Sequence, residues 1–163
     1  MPSLAYIGLG SNLDDPRGHV ERAIAELDGL PLTRLTATSR RYASRPVGPQ
    51  DQPDFINAVA RVETRLSPLA LLDQLQALEQ RHARVRRRHW GPRTLDLDLL
   101  LYDDRRLEHP RLRLPHPELA ARAFVVVPLH ELAPRLELPG FGPVAALPAW
   151  QSAGDLRALL PER

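Results

Sequence analysis

The stretch Leu95-Asp96-Leu97-Asp98-Leu99-Leu100-Leu101 constrains the fold more than any other part of this chain. Leucine and aspartate alternate, then give way to consecutive leucines. A period of two is that of a β-strand, whose successive side chains point to opposite faces. Asp96 and Asp98 therefore share one face, and Leu95, Leu97 and Leu99 share the other, turned into a core. The run Leu99–Leu101 predicts burial on both faces, and hence a central strand of a sheet covered on both sides. At strand rise the two aspartate Cα atoms lie roughly 6.5 Å apart. Two carboxylates at that spacing repel by roughly 2–3 kcal/mol at an effective dielectric near 20. A hard cation removes this repulsion, and paired carboxylates on a rigid strand suit Mg²⁺ holding a phosphorylated substrate.

The residues just upstream add to this chemistry. Arg84, Arg86, Arg87, Arg88 and Arg93 suit phosphate oxygens, and the Trp90 indole suits a flat ring. Cation, phosphate and ring binders so close together point to a nucleotide-dependent transfer enzyme. All 22 Lys+Arg residues are arginine. The absence of lysine excludes a Walker A loop, the protein-kinase strand lysine and Schiff-base catalysis. The absence of cysteine excludes disulfides, thiol catalysis and cysteine-ligated zinc. A net charge of only +2 gives no strong case for general polyanion binding. No apolar run approaches the length of a membrane span, and Met1-Pro2-Ser3 leads straight into a strand-like segment with no signal-peptide pattern, so a cytoplasmic protein is expected.

Along the chain, residues 4–9 predict a first strand. Asp14-Asp15-Pro16 predicts a helix start, with Val20, Ala23, Ile24 and Leu27 at helical spacing and Gly29 as the terminator. Gly8-Leu9-Gly10 reads as a tight strand-to-helix turn, since it lacks the third glycine of a dinucleotide fingerprint. Residues 35–42 read as extended, 44–53 as a proline-rich ordered loop, and 54–64 as a strand. Ser67-Pro68 caps a second helix to about His82. After the Asp-Leu-Asp strand come a turn at Asp103-Asp104, a short strand over 111–114, and an apolar strand over 123–129. The proline-rich tail holds one helical turn near 155–160. With no repeat or interdomain linker, residues 1–163 form one domain. The order β-α-β-β-α-β followed by extra strands is a ferredoxin-like α+β core. The expected sheet is mainly antiparallel, in a three-layer αβα arrangement when helices cover both faces.

Four blocks, in order along the chain, resemble the 6-hydroxymethyl-7,8-dihydropterin pyrophosphokinase family: IGLGSNL at 7–13, RPVGPQDQPDFINA at 45–58, WGPRTLDLD at 90–98 and LPHPELAARAF at 114–124. The resemblance implies transfer of diphosphate from ATP, the co-substrate, to the hydroxymethyl group of the pterin, releasing AMP, in folate biosynthesis. It implies that Asp96 and Asp98 ligate two Mg²⁺ ions. It places Asn57 on the pterin ring edge, Phe55, Trp90 and Phe124 as apolar walls, and Ser44 and Val47 on the pocket floor. It makes Arg84, Arg86 and Arg93 the catalytic arginines. Gln76, Glu79, Arg93, Arg111, Leu112, Arg113, His116 and Arg122 become nucleotide contacts, those at 111–113 through the backbone. Phe55, His89 and Pro117 stand where some members carry tyrosine, arginine and an aromatic residue.

Alternative functions share single features. A nucleotide-sugar transferase uses an Asp-x-Asp pair with a metal but usually needs a larger domain. An aspartyl-phosphate phosphatase wants its Asp-x-Asp after the first strand, whereas here it follows the second helix. A ferredoxin-like RNA-binding module would interleave aromatic residues on adjacent strands, and aromatic content is 5%. The expected partners are therefore the small-molecule substrates ATP and a pterin alcohol, with no nucleic acid and no membrane, on a monomer.

Overall fold

The computed structural model describes residues 1–45, 53–83 and 94–161. Strand β1 (Ser3–Ser11) is followed by helix α1 (Pro16–Leu27), strands β2 (Thr33–Thr38), β3 (Tyr42–Ser44) and β4 (Phe55–Thr64), helix α2 (Pro68–Ala83) and strand β5 (Asp96–Tyr102). The sheet is antiparallel, with β5 beside β1, β1 beside β4, and β2 and β3 in succession along the far side of β4. This is the ferredoxin-like core that the element order predicts.

Alternation decides what each face of the sheet meets. Ala5, Ile7 and Leu9 of β1, with Ala58, Ala60 and Val62 of β4, pack on α1 and α2. Asp15 caps α1, its carboxylate accepting from the Gly18 N–H at 3.2 Å, and Pro16 occupies the first turn, where a missing N–H costs nothing. The buried stripe His19, Val20, Ala23, Ile24 and Leu27 keeps helical spacing. Gly29 is not the left-handed terminator that its identity suggests; the positive φ falls on Leu32, at 53°. Ser67 Oγ accepts from the Ala70 N–H at 3.2 Å and opens α2, which buries Leu71, Leu72, Leu75 and Leu78. Each such leucine is worth about 1.5–3 kcal/mol on full burial.

The opposite face is covered by α3 (Ala123–Leu132), which corrects the strand expected over 123–129. Val125, Val126 and Leu129 bury one side of this helix against Tyr6, Val59, Leu100 and Leu101. β5 is an edge strand rather than a central one. Leu100 and Leu101 both face α3, because a register shift opposite Tyr6 and Ile7 inserts one residue into β5. The short hairpin β6 (Leu107–His109) and β7 (Leu112–Leu114) follows, and the His116 N–H donates to the Leu100 carbonyl at 2.9 Å. After the hairpin β8 (Glu137–Leu138) and β9 (Gly142–Pro143), the tail forms a 3₁₀ segment over Pro148–Asp155 and then β10 (Arg157–Ala158), which pairs with β3. The helical turn expected at 155–160 thus lies earlier in the chain, and its place is taken by a strand.

Candidate active site

The α3 face of the sheet opens into a cleft of about 840 Å³. Cross-strand register brings its floor together: Asn57 on β4 lies opposite Gly10 on β1, and Gly10 lies opposite Asp96 on β5. One row along, Gly8 lies opposite Asp98. Gly8 and Gly10 are therefore strand residues on the cleft face, not a turn. A Cβ at Gly10 would sit 3.3 Å from Asn57 Oδ1, and one at Gly8 would meet the Leu100 side chain at 3.5 Å. Glycine at i and i+2 keeps the floor low between the amide and the carboxylates.

Asp96 and Asp98 lie at one end of the cleft, on the same face as expected. The Asp98 side chain is 41% exposed, with Arg122 Nη1 at 3.8 Å and His116 Nε2 at 4.0 Å. Arg122 also pairs with Glu118 and lies 5.6 Å from the centroid of the Phe124 ring, so it links the carboxylate end to the aromatic wall. Burial lowers the His116 pKa from its ordinary value, Asp98 opposes that shift, Arg122 adds to it, and Glu118 opposes it.

At the other end, Asn57 is almost fully buried, at 3% exposure. Its Nδ2 donates to Ser44 Oγ at 2.7 Å, with the amide oriented by that partner. One Nδ2 hydrogen is used there; Phe55 and Phe124 line the same cleft. Seven sequence-predicted residues thus converge on it: Ser44, Phe55, Asn57, Asp96, Asp98, Arg122 and Phe124.

A second group lies along the outer edge of β5 rather than in the cleft. Arg111 bonds Asp73 at 2.5 Å and Gln76 at 3.1 Å on α2. Arg113 is exposed and pairs with Glu108 at 3.3 Å, while the Leu112 side chain is buried in the core. Glu79 Oε2 accepts from the Leu97 N–H at 2.8 Å, between the two aspartates. Val47, Arg84, Arg86, Trp90 and Arg93 lie outside the described residues.

The sequence reading missed Gly8, Gly10, Arg45, Ser152, Asp155 and Leu156 as lining residues. For the two glycines the signal was their i, i+2 spacing within a strand. Tail residues carry no such pattern, because their place is set by pairing more than a hundred residues away.

Among the described residues, no cluster of three or more His, Asp or Glu side chains could hold a metal alone. Two carboxylates fit Mg²⁺ nonetheless, since that ion commonly takes one or two carboxylates and completes its shell with substrate phosphates and water.

Residues 6–134 match the model of the 7,8-dihydro-6-hydroxymethylpterin-pyrophosphokinase family. The chain is similar to the 2-amino-4-hydroxy-6-hydroxymethyldihydropteridine pyrophosphokinase of Pseudomonas aeruginosa, 54% identical over 82% of this chain and 83% of that protein. The Haemophilus influenzae protein of the same name is 53% identical over 83% and 84% of the two chains. In fold, it is similar to a solved Plasmodium falciparum HPPK-DHPS structure, with a TM-score of 0.71 at 13% identity. That match covers 94% of this chain, which spans 46% of the longer one.

Proposed function

The chain belongs to the 7,8-dihydro-6-hydroxymethylpterin-pyrophosphokinase family, and from that premise we propose that it transfers diphosphate from ATP to the hydroxymethyl group of 6-hydroxymethyl-7,8-dihydropterin, releasing AMP, in folate biosynthesis. The observation that carries the reading is one cleft with paired carboxylates at one end and a buried amide with two phenylalanines at the other. Its volume, about 840 Å³, falls in the range of small-molecule sites.

In this reading the chain's residues mainly bind and orient. Asn57, held by Ser44, turns its remaining hydrogen-bonding capacity to the ring edge of the pterin. Phe55 and Phe124 offer flat apolar faces to the ring. Asp96 and Asp98 would hold Mg²⁺, two ions by the family resemblance, against the triphosphate. The metal, when bound, would neutralise charge on the phosphate oxygens. Arg122 stands beside Asp98 and places a fixed positive charge near the same oxygens. The pterin hydroxymethyl oxygen forms a bond to the β-phosphorus and gives up its hydroxyl proton to solvent as the bond from that phosphorus to the α–β bridging oxygen breaks, and AMP departs with that oxygen. Alignment of the attacking oxygen supplies most of the advantage, because phosphoryl transfer passes through a loose transition state. We further assign residues 1–163 to one domain, acting as a cytoplasmic monomer. Among the described residues, no helix is long and apolar enough to cross a membrane.

The two ends of the cleft should separate in binding measurements. Asn57→Ala should weaken pterin binding more than tenfold and leave the MgATP Kd within twofold. Asp98→Asn should do the reverse. Equal weakening of both ligands by each variant would contradict the assignment of ends.

A further inference from the structure

The tail builds one wall of this cleft, and the match to the family stops short of it at residue 134. Ser152, Asp155 and Leu156 line the cleft together with Ser44, Phe55 and Asn57. Each comes from the 3₁₀ segment or the link into β10, and that stretch is fastened on both sides. Upstream, Leu147 and Ala149 are buried against α3, the Trp150 indole N–H donates to the Val144 carbonyl at 2.9 Å, and the Trp150 ring meets His130 edge-on at 5.1 Å between centroids. Downstream, Arg157 and Ala158 pair with Ala43 and Tyr42, and the Leu159 N–H donates to the Arg41 carbonyl at 2.7 Å. The Arg157 guanidinium bonds Asp54 at 2.9 Å, next to Phe55. A segment anchored at both ends presents a preformed surface, which costs little ordering entropy when a ligand arrives.

Sheet order fixes which ligand meets this surface. The path runs β10-β3-β4-β1-β5, so β10 and the aspartate strand occupy opposite edges. Four strand spacings separate them, about 19 Å at the usual interval. Asp155 also lines a smaller pocket with Ala43, Arg45 and Asp54, which puts that end of the segment beside Ser44 and Phe55. Leu156, half-buried, gives it an apolar contact, and the exposed Ser152 lines the cleft beside it.

We infer that the 148–158 strap is a specificity-determining wall of the acceptor subsite, with Leu156 and Ser152 limiting the size and position of the pterin ring. This rests on the assignment of the Asn57 end to the pterin. The two residues act by shape, so their effect belongs to acceptor KM and not to the chemical step.

The test uses the full-length enzyme with Leu156→Ala, Ser152→Trp and Asn57→Ala, each checked for an unchanged far-ultraviolet circular dichroism spectrum. Pterin and MgATP affinities are measured separately by calorimetry, followed by steady-state kinetics. Ser152→Trp should raise the pterin Kd and KM at least tenfold and Leu156→Ala about fivefold. MgATP Kd and kcat at saturating pterin should stay within twofold. Should both variants bind pterin as wild type does while Asn57→Ala does not, the strap is only a fastening for the sheet edge and the inference is overturned. Should Asn57→Ala also bind pterin normally, the assignment of the acceptor end itself is wrong, and the inference falls with it.

Discussion

Single side chains carry distinct burdens here. Asp96 and Asp98 protrude from an edge strand on a floor kept low by glycine. Asp96→Asn keeps the shape and removes a charge that, in the proposed function, holds the cation. The variant should retain its thermal transition and lose at least about a hundredfold in kcat, the scale of a principal transition-state charge stabiliser. Wild-type turnover with an unchanged Mg²⁺ dependence would contradict this. A different burden falls on His19, buried between α1 and α2 with its Nδ1 2.7 Å from His82 Nδ1, while His82 Nε2 donates to Glu26 at 2.6 Å. Burial first, then the neighbouring His82 and Arg22, holds the His19 pKa below its ordinary value of 6.5. The unfolded chain therefore takes up a proton at a higher pH than the native one. Stability from this site is present above about pH 6.5 and is lost as pH falls from there through the lower native value. Urea unfolding from pH 8 to pH 5 should show that loss in the wild type and a flatter profile in His19→Asn. An identical decline in both proteins would remove His19 as its source.

At the scale of elements, the strand that bears the carboxylates has no strand on its outer edge among the described residues, and the fold covers that edge piecemeal. Glu79 reaches from α2 to take the Leu97 N–H, and the His116 N–H takes the Leu100 carbonyl. Glu79→Ala leaves that N–H unsatisfied, worth about 1 kcal/mol, and loosens the backbone between the two aspartates. It should speed Leu97 amide exchange and raise the KM for MgATP, and Glu79→Gln, which keeps an acceptor, should restore both. Wild-type exchange in Glu79→Ala would contradict the anchor. The same strand shows what could be read in advance. Period-two alternation revealed the shared face of Asp96 and Asp98, but nothing in it tells an edge strand from a central one, because α2 and the segment after β7 supply the cover. The stretch Ala123–Leu129 misleads for a related reason. Three valines favour an extended reading by propensity and Pro128 disfavours a helix interior, yet Val125, Val126 and Leu129 fall on one side of a helix, and the sheet face needs a lid of that shape. Tertiary burial outweighs local preference there. Asn57, Phe55 and Phe124 were legible only through the family resemblance, since an asparagine on a strand and two scattered phenylalanines have ordinary structural uses.

For the whole molecule, one antiparallel sheet separates two jobs. Its α1/α2 face is a closed core, and its α3 face is part core under α3 and part cleft, with the cleft's ends on different strands. In the proposed function that layout sets two ligands end to end, with the acceptor oxygen meeting the middle of a triphosphate rather than its tip. Attack at the β-phosphorus distinguishes this enzyme from a kinase that transfers one phosphoryl group. The most direct measurement is a ³¹P NMR time course of the enzyme with ATP, Mg²⁺ and 6-hydroxymethyl-7,8-dihydropterin. AMP and a pterin diphosphate should appear in equal amounts as ATP disappears, with no ADP. Formation of ADP with a pterin monophosphate, or release of inorganic phosphate without a phosphorylated pterin, would contradict diphosphate transfer.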